Sequence, residues 1–330
     1  MSKTKAIVMF SGGLDSLLAV KILQAQDIEV EGFTLETLYH SCTETSRVAA
    51  EKLGIPLVVA QAGEDYLELI RNPKWGFGKA MNPCIECRAY MCKKAIPRME
   101  ETGAAFIATG EVSGQRPNSQ KEHQLRLVAR EAGLEGKLLR PLSAKVLAKT
   151  EAEREGLVDR NKLYGFTGRG RSRLIALAQE FGIEDSPQPS TGCLLTEQLF
   201  VSRIRDLLRH KPDATDWDFR TLVPGRHLRI DDETKVVVGR REQENRDLET
   251  LATEATVAES LFLYPENFNG PGVLWIGKVD EHAISLGGAI LLRYSKVYDP
   301  ENAEIQVYRD GKRELVIAHE SEEAETFKPL

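Results

Sequence analysis

The chain predicts an α/β fold: an N-terminal doubly wound parallel sheet, followed by a smaller α+β domain. Three features carry this expectation. Short apolar runs alternate with stretches of helical periodicity through the first half of the chain. Glycine-rich or polar turns stand where those runs end. Beyond residue 210 the pattern changes to closely spaced short strands.

The elements follow in order. Residues 5–10 (KAIVMF) are almost continuously apolar, as a strand covered on both faces must be. SGGLDS at 11–16 comes next, and Leu17, Leu18, Val20, Ile22 and Leu23 then recur at helical spacing. Residues 30–35 read as a second strand. Residues 44–53 read as a helix stopped by Gly54, with Pro56 beyond. Residues 57–60 form a third strand, and 105–109 a fourth, after a helix around 88–101. Crossovers in such a sheet are right-handed, and ligands sit beyond the carboxyl ends of the strands. SGGLDS, the segment after Leu35 and the Thr109-Gly110 turn all fall there. A helix at 172–182, a proline-marked loop (DSPQPSTGC) and a helix near 197–209 complete a first domain placed at 1–210. The second, at 211–330, holds strands at 227–230, 235–239, 272–276, 305–308 and 314–318, with a helix at 242–254.

With 330 residues, 42% hydrophobic and 28% charged, the chain has the balance of a globular protein, which excludes disordered and fibrous classes. No apolar stretch approaches the ~20 residues that span a bilayer, and residues 1–10 run into the glycine turn without a cleavage site. The expectation is a cytoplasmic protein with no membrane partner. The net charge of −6 hides an asymmetry. From Lys121 to Arg173 there are 13 Lys and Arg against 7 Asp and Glu, whereas from Glu197 to Leu330 there are 18 against 26. A basic block inside an acidic chain marks either a polyanion site or a solvated helical face. Five cysteines, at 42, 84, 87, 92 and 193, make an odd set without an export signal, which favours reduced thiols over a disulfide framework.

Ser11-Gly12-Gly13-Leu14-Asp15-Ser16 leaves a strand and opens a helix. The two glycines let the backbone approach a phosphate, and the helix start adds free N–H groups. The Ser11 and Ser16 hydroxyls are placed to donate to phosphate oxygens, and Asp15 to hold Mg²⁺ against them. No GK[ST] follows and the spacing is not GxGxxG, so neither a Walker loop nor a dinucleotide fingerprint is present. The residues point to a phosphate-bearing ligand with Mg²⁺.

SGGLDS resembles the PP-loop of the ATP pyrophosphatase superfamily. The first ~195 residues are similar to its tRNA 2-thiouridylase branch. Gly32-Phe33-Thr34-Leu35 ends the second strand where that family contacts adenine. Asn82-Pro83-Cys84-Ile85-Glu86-Cys87 is similar to its loop with the first catalytic cysteine. Ile107-Ala108-Thr109-Gly110 matches its nucleotide-contacting turn, and Ser190-Thr191-Gly192-Cys193 the loop of its second catalytic cysteine. The resemblance implies ATP-dependent thiolation of a tRNA uridine, with Ser11, Gly12, Gly13, Asp15, Ser16, Leu35, Thr109 and Gly110 on the nucleotide. It implies catalytic roles for Asp15, Cys87 and Cys193. Asn82 and Arg116 are assigned to RNA, Asn82 by analogy with the family. There are departures. The usual Thr-Gly-His is Thr109-Gly110-Glu111, and residues 114–120 stand where the family has Lys-Asp-Gln. Residues 235–245 (KVVVGRREQEN) resemble the glycine-arginine…asparagine signature of the NFACT-type RNA-binding module instead of that family's β-barrel.

Given that alignment, Cys84 and Cys87 with Cys193 offer three thiolates around one point. That suits a 4Fe-4S cluster with one open iron able to hold hydrosulfide. The rivals are a Cys193 persulfide released by a Cys87 disulfide, and structural zinc with Cys92 as a fourth ligand. Cys42 and Cys92 otherwise read as small buried residues. A thiolate or metal-bound hydrosulfide is expected to be nucleophilic near neutral pH without a separate base. The sulfur donor is either free sulfide or a persulfide carrier. Arg169, Arg171 and Arg173, spaced by glycine and serine, read as a cationic turn that tracks a phosphate backbone. Arg240, with Arg241 and Asn245, is a second RNA candidate. Two other whole-chain readings remain: a zinc-containing ligase forming amides or nitriles on a small molecule, and a non-catalytic RNA-binding protein.

Overall fold

In the computed structural model, β1 (Lys5–Met9) leads through the SGG turn into α1 (Leu14–Gln24). β2 (Glu29–Glu36), α2 (Thr43–Leu53), β3 (Leu57–Gln61) and α3 (Asp65–Arg71) follow. Next come α4 (Cys84–Thr102), β4 (Phe106–Thr109), α5 (Glu122–Glu131) and the short β5 (Leu138–Leu139). The strands form one all-parallel sheet in the order β3-β2-β1-β4-β5. The chain leaves β1 in one direction and returns to its other side as β4. The topological switch, where parallel sheets open a crevice, therefore lies at the carboxyl ends of these two strands. Short helices α6 (Glu151–Arg154) and α7 (Ser172–Glu180) complete this unit. The structure describes residues 3–183, 192–254, 259–309 and 311–330.

The period of two explains why β1 reads as a continuous apolar run. Ala6 and Val8 pack with α1 on one face, and Ile7 packs with Ala89 and Ala95 of α4 on the other. Gly54 caps α2 at φ +64°, as the Gly-x-Pro stop signal predicts.

Contacts divide the chain into Met1–Glu197 and Gln198–Leu330. The second unit runs α8 (Gln198–His210), α9 (Asp216–Arg220), β6 (Arg226–Arg229), β7 (Lys235–Val238), α10 (Glu242–Glu254) and β8 (Ser260–Pro265). It continues with β9 (Val273–Ile276), α11 (Glu281–Arg293), β10 (Glu304–Arg309), β11 (Lys312–Ile317) and α12 (Glu322–Thr326). Its six strands are antiparallel, in the order β11-β10-β8-β9-β7-β6. Val236 and Val238 face the cluster with Leu286 and Ile290 of α11, while Val237 faces Leu248 and Leu251 of α10. The helix expected at the end of the first domain clusters with the second. Asp206 of α8 accepts two bonds from the Arg229 guanidinium, at 2.5 and 3.1 Å, and Arg203 donates to the carbonyls of Leu222 and Gly225. Those partners, all beyond residue 220, set the boundary at 197/198 rather than 210/211.

Lys235 and His227 carry an unusual burden in this unit. Lys235 is 4% exposed and its Nζ has no hydrogen-bond partner among the described residues. Burial pushes its amine from 10.5 down to about 7, against the pull of Asp206. His227, on the same face of the neighbouring strand, is held well below its ordinary value by burial and then by the Lys235 charge. An unfolded Lys235 keeps its proton up to about pH 10.5, whereas the folded one releases it above about 7. The unfolded state therefore binds more protons across this window, so stability rises with pH from about 7 to 10.5. Unfolding in urea, followed by the fluorescence of buried Trp217 and Trp275, will show a higher midpoint at pH 9 than at pH 7. Lys235→Met will raise the pH 7 midpoint and remove most of that rise. An equal rise in the variant contradicts this assignment.

Candidate functional site

The turn between β1 and α1 is shaped by two backbone approaches. Gly12 has φ +69°, and a Cβ there would lie 2.6 Å from the Thr45 carbonyl oxygen at the start of α2. A Cβ at Gly110, just after β4, would lie 2.4 Å from the carbonyl oxygen of Asp15. Only glycine lets the β4 turn close on the first turn of α1. Gly13 is the N-cap of α1 and no side chain caps that helix. Ser16 Oγ donates to the Gly13 carbonyl at 2.8 Å. The turn thus presents an uncapped helix start, which favours an anion.

These elements open onto one cavity of about 320 Å³ in the first unit. Ser11, Asp15, Ser16, Leu35, Asn82, Cys84, Cys87, Thr109, Gly110, Arg116 and Cys193 all line it. Gly12 and Gly13 build the turn behind the lining. Apart from those two glycines, the cavity brings together the nucleotide and cysteine residues singled out from the sequence, from the turn after β1, α1, β2, β4, α4 and the segment at 193. Ser190 and Thr191 lie outside the described residues.

Asp15 is the polar centre of the nucleotide side. Burial raises its carboxyl above the ordinary range, against a hydrogen bond from Gln115 and the charges of Arg171, Arg116 and Arg88. Its Oδ1 is buried with no hydrogen-bond partner among the described residues. A buried carboxylate oxygen with no donor is an incomplete site, and a hard divalent cation such as Mg²⁺ completes it with an oxygen ligand of the kind it prefers.

The cysteine side is set by α4. Cys84 and Cys87 occupy its first turn at i and i+3, on one helix face. Asn82 Nδ2 donates to Cys84 Sγ at 3.0 Å, and the Tyr66 hydroxyl stands 3.4 Å from Cys87 Sγ. Burial pushes the Cys87 thiol up and Cys193 up to about 12, where the charges of Cys87 and Cys84 add to the effect. Burial thus favours the neutral thiol at Cys87 and Cys193. Cys92 is buried in the same wall and pushed to about 12, as expected of a small buried residue. Cys42 is only partly buried and also lines the cavity. Among the described residues, no three His, Cys, Asp or Glu side chains stand at metal-ligand spacing. Cys84, Cys87 and Cys193 match a three-thiolate cluster in kind and number but are not drawn together as ligands, and no zinc set with Cys92 is formed.

Residues not foreseen complete the wall. Arg88, one turn after Cys84, points into the cavity and pairs with Glu111, and Arg140 Nε bonds the other Glu111 oxygen at 2.9 Å. Glu111 is 7% exposed, and the two arginines hold its carboxyl below the ordinary range against strong desolvation. Thr109 Oγ1 donates to the same carboxylate at 3.1 Å. The only sequence signal was helical spacing, since 84, 87, 88 and 91 share a face. Nothing in the sequence linked Arg88 to Glu111 or to Arg140.

The basic block is partly internal. Arg140 is 6% exposed and committed to Glu111, and Arg160 is paired with Glu153. Arg169 and Arg173 are exposed and make no side-chain hydrogen bond or ion pair among the described residues, and Arg171, at the N-cap of α7, is close enough for Asp15 to feel its charge. In the second unit Arg240 is paired with Glu244 at 2.6 Å, and Asn245 Oδ1 accepts the Gly272 N–H at 2.9 Å. No helix among the described residues is long and apolar enough to cross a membrane.

Comparison with known proteins agrees with this architecture. Residues 4–149 match the family model described as "tRNA methyl transferase HUP domain", and residues 225–328 match "NFACT protein RNA binding domain". The tRNA-specific 2-thiouridylase MnmA of Rhizobium etli is 30% identical over 138 residues, which cover 37% of this chain and 34% of that protein. The corresponding protein of Clostridium beijerinckii is 29% identical over 126 residues, covering 33% and 35%. The chain thus spans about a third of the length of the curated relatives it matches. Among solved structures, one described as a "predicted subunit of tRNA methyltransferase" from Methanocaldococcus jannaschii is 17% identical with a TM-score of 0.36, covering 66% of this chain and 91% of that one. A 4-thiouridine synthetase–RNA complex with bound ATP is 18% identical with a TM-score of 0.34, covering 55% and 52%. Residues 4–149 are therefore similar to the tRNA methyl transferase HUP domain family, and residues 225–328 to the NFACT RNA-binding domain family.

Proposed function

We propose that the chain is an ATP-dependent tRNA sulfurtransferase that acts on a uridine. One observation carries this reading: Cys84, Cys87 and Cys193 open onto the same cavity as the phosphate turn and Asp15. Nucleotide activation and sulfur delivery then share a single reaction space. The matched curated relatives are tRNA-specific 2-thiouridylases, and the second unit matches an RNA-binding domain.

In this reading the uracil carbonyl oxygen attacks the α-phosphorus of ATP. The bond to pyrophosphate breaks, and the uncapped start of α1 with the Ser11 hydroxyl steadies the leaving phosphates, joined by Ser16 once its hydroxyl turns from the Gly13 carbonyl. Asp15 holds the Mg²⁺ that neutralises them. Sulfide then adds to the activated carbon, and AMP leaves with the original oxygen. Arg88, fixed by Glu111, and Arg116 face the anionic adenylate across the cavity. Asn82, which donates to Cys84 Sγ, sits where the base meets the sulfur site. Arg169, Arg171, Arg173 and Arg240 are assigned to the RNA backbone.

The sulfur site is assigned to Cys84, Cys87 and Cys193 as holders of a 4Fe-4S cluster, on the kind and number of donors. When bound, such a cluster supplies an open iron that keeps sulfide as a nucleophile. Burial holds the Cys87 and Cys193 thiols above their ordinary range, so either route requires that a metal or a cation offset that desolvation. Protein purified without oxygen will carry ~4 iron per chain. Each of Cys84→Ser, Cys87→Ser and Cys193→Ser will lower that content together with thionucleoside formation. Iron-free protein that still thiolates tRNA would falsify the cluster assignment and leave the two-cysteine route.

Gly110→Ala will abolish ATP binding by equilibrium dialysis, because the new Cβ collides with the Asp15 backbone; retained ATP affinity contradicts this placement. Arg169→Ala with Arg173→Ala will weaken tRNA binding and reduce the slope of log affinity against log salt by about two. An unchanged slope removes these arginines from the RNA interface.

A further inference from the structure

The segment between α3 and α4, Asn72-Pro73-Lys74-Trp75-Gly76-Phe77-Gly78-Lys79-Ala80, has no part in the nucleotide or sulfur site described above. It exposes two aromatic rings, Trp75 at 38% and Phe77 at 40%. The other two tryptophans of the chain are 7% and 3% exposed. Large rings are normally the groups a chain hides, so a loop that displays two of them between lysines has another use.

The loop is fastened rather than loose. The Trp75 N–H donates to Glu86 Oε1 of α4 at 2.5 Å, and the Gly78 N–H donates to the Asn82 carbonyl at 2.9 Å. Ala80 N–H reaches Asn82 Oδ1 at 3.0 Å. Gly78 is required, because a Cβ there would lie 2.3 Å from Asn82 Nδ2. Asn82 lines the cavity, so the displayed rings belong to a segment anchored on the cavity wall. Two cations stand by the Trp75 ring. Lys74 Nζ stands 5.1 Å and the Arg130 guanidinium carbon 5.9 Å from the Trp75 ring centroid. Lys79 is also exposed, and Glu131, paired with Lys74 at 2.9 Å, is the opposing charge.

We propose that Trp75 and Phe77 form a stacking platform for an unpaired nucleobase of the RNA substrate, next to the nucleotide that enters the cavity. The inference rests on the tRNA reading above and adds to it a site and a ligand chemistry. Aromatic faces accept any base, and neighbouring cations strengthen the ring–base stack while meeting the phosphates. A duplex stem offers no exposed base face, so the platform selects single-stranded or looped RNA. It would hold the strand beside the target once that uridine leaves its own stack, which reduces the cost of extruding it.

The test uses the full chain and two probes, a ten-residue oligouridylate and an unmodified tRNA transcript pool. The oligouridylate will quench tryptophan fluorescence in the parent protein and not in Trp75→Phe. Trp75→Ala with Phe77→Ala will lose about five- to hundred-fold in affinity for both RNAs. It will keep ATP affinity and an unchanged salt slope, and Trp75→Phe with Phe77→Tyr will restore binding. Undiminished RNA affinity in the double alanine variant overturns the platform and leaves the thiolation reading standing. A loss confined to the salt-dependent part of binding also overturns it, because that assigns the loop to phosphate attraction alone. Binding of the loop to anionic vesicles without quenching by RNA overturns it in favour of a lipid surface. A parent protein with no affinity for either RNA defeats the tRNA reading itself.

Discussion

A Cβ at Gly110 would sit 2.4 Å from the Asp15 carbonyl oxygen, and one at Gly12 would sit 2.6 Å from that of Thr45. These two approaches close the carboxyl ends of β1 and β4 and the start of α2 onto one turn. Everything else in the cavity depends on that closure. It fixes the uncapped start of α1, turns Asp15 inward and places the Thr109-Gly110 turn against the phosphate side. Side chains elsewhere can relax around a misfit. Backbone atoms in three separate elements cannot do so without moving the sheet.

The charges in the cavity make sense only with ligands present. Arg88 and Arg116 face it, while the nearby Glu111 carboxylate is shared between Arg88 and Arg140. Asp15 is the remaining acid on the nucleotide side, with one oxygen unpartnered. The cavity wall thus sets an excess of cation beside a carboxylate one of whose oxygens has no hydrogen-bond partner among the described residues. A polyphosphate answers the arginines, and a divalent ion answers Asp15. The thiols follow the same logic, since burial holds them neutral until a cation or a metal offsets the desolvation. Glu111 has a different part. It orients Arg88 along the cysteine helix, and replacing a histidine by glutamate at that turn suits a chain with two arginines to pair.

What the sequence disclosed, and what it withheld, follows from the range of each interaction. β1 and β4 were legible because strands buried on both faces are apolar at nearly every position, and β2 and β3 because short apolar runs lie at their centres. The SGGLDS turn was legible because its chemistry is contiguous. α11 was not, because Gly287 and Gly288 stand in its interior and read as a break. In the fold they are contacts: a Cβ at Gly287 would lie 3.0 Å from Leu263, and one at Gly288 3.2 Å from Ala318. β8 was hidden between a helix end and Pro265. The basic block misled in part, since Arg140 and Arg160 find acids only through tertiary structure. The grouping of Cys193 with Cys84 and Cys87 was available through family resemblance, not through spacing.

The second unit shows how a recognisable signature can serve architecture before contact. In the Gly239-Arg240…Asn245 segment, the half-buried asparagine serves the turn itself. Its Oδ1 takes the Gly272 N–H, and a side chain on Gly239 would collide with that oxygen at 1.9 Å. Glycine and asparagine are therefore a matched pair that locks the turn from β7 into α10 against β9. Arg240 is held by both oxygens of Glu244, whose carboxylate also accepts the Arg240 N–H at 2.8 Å. That bidentate pair fixes the guanidinium as part of the turn and leaves Arg241, exposed beside it, as the less constrained cation. A domain that is acidic overall can still meet a phosphate at such a point, because recognition depends on the field over a few ångströms more than on net charge. The rigid turn does the positioning, and the charge it presents is small, local and fixed in direction.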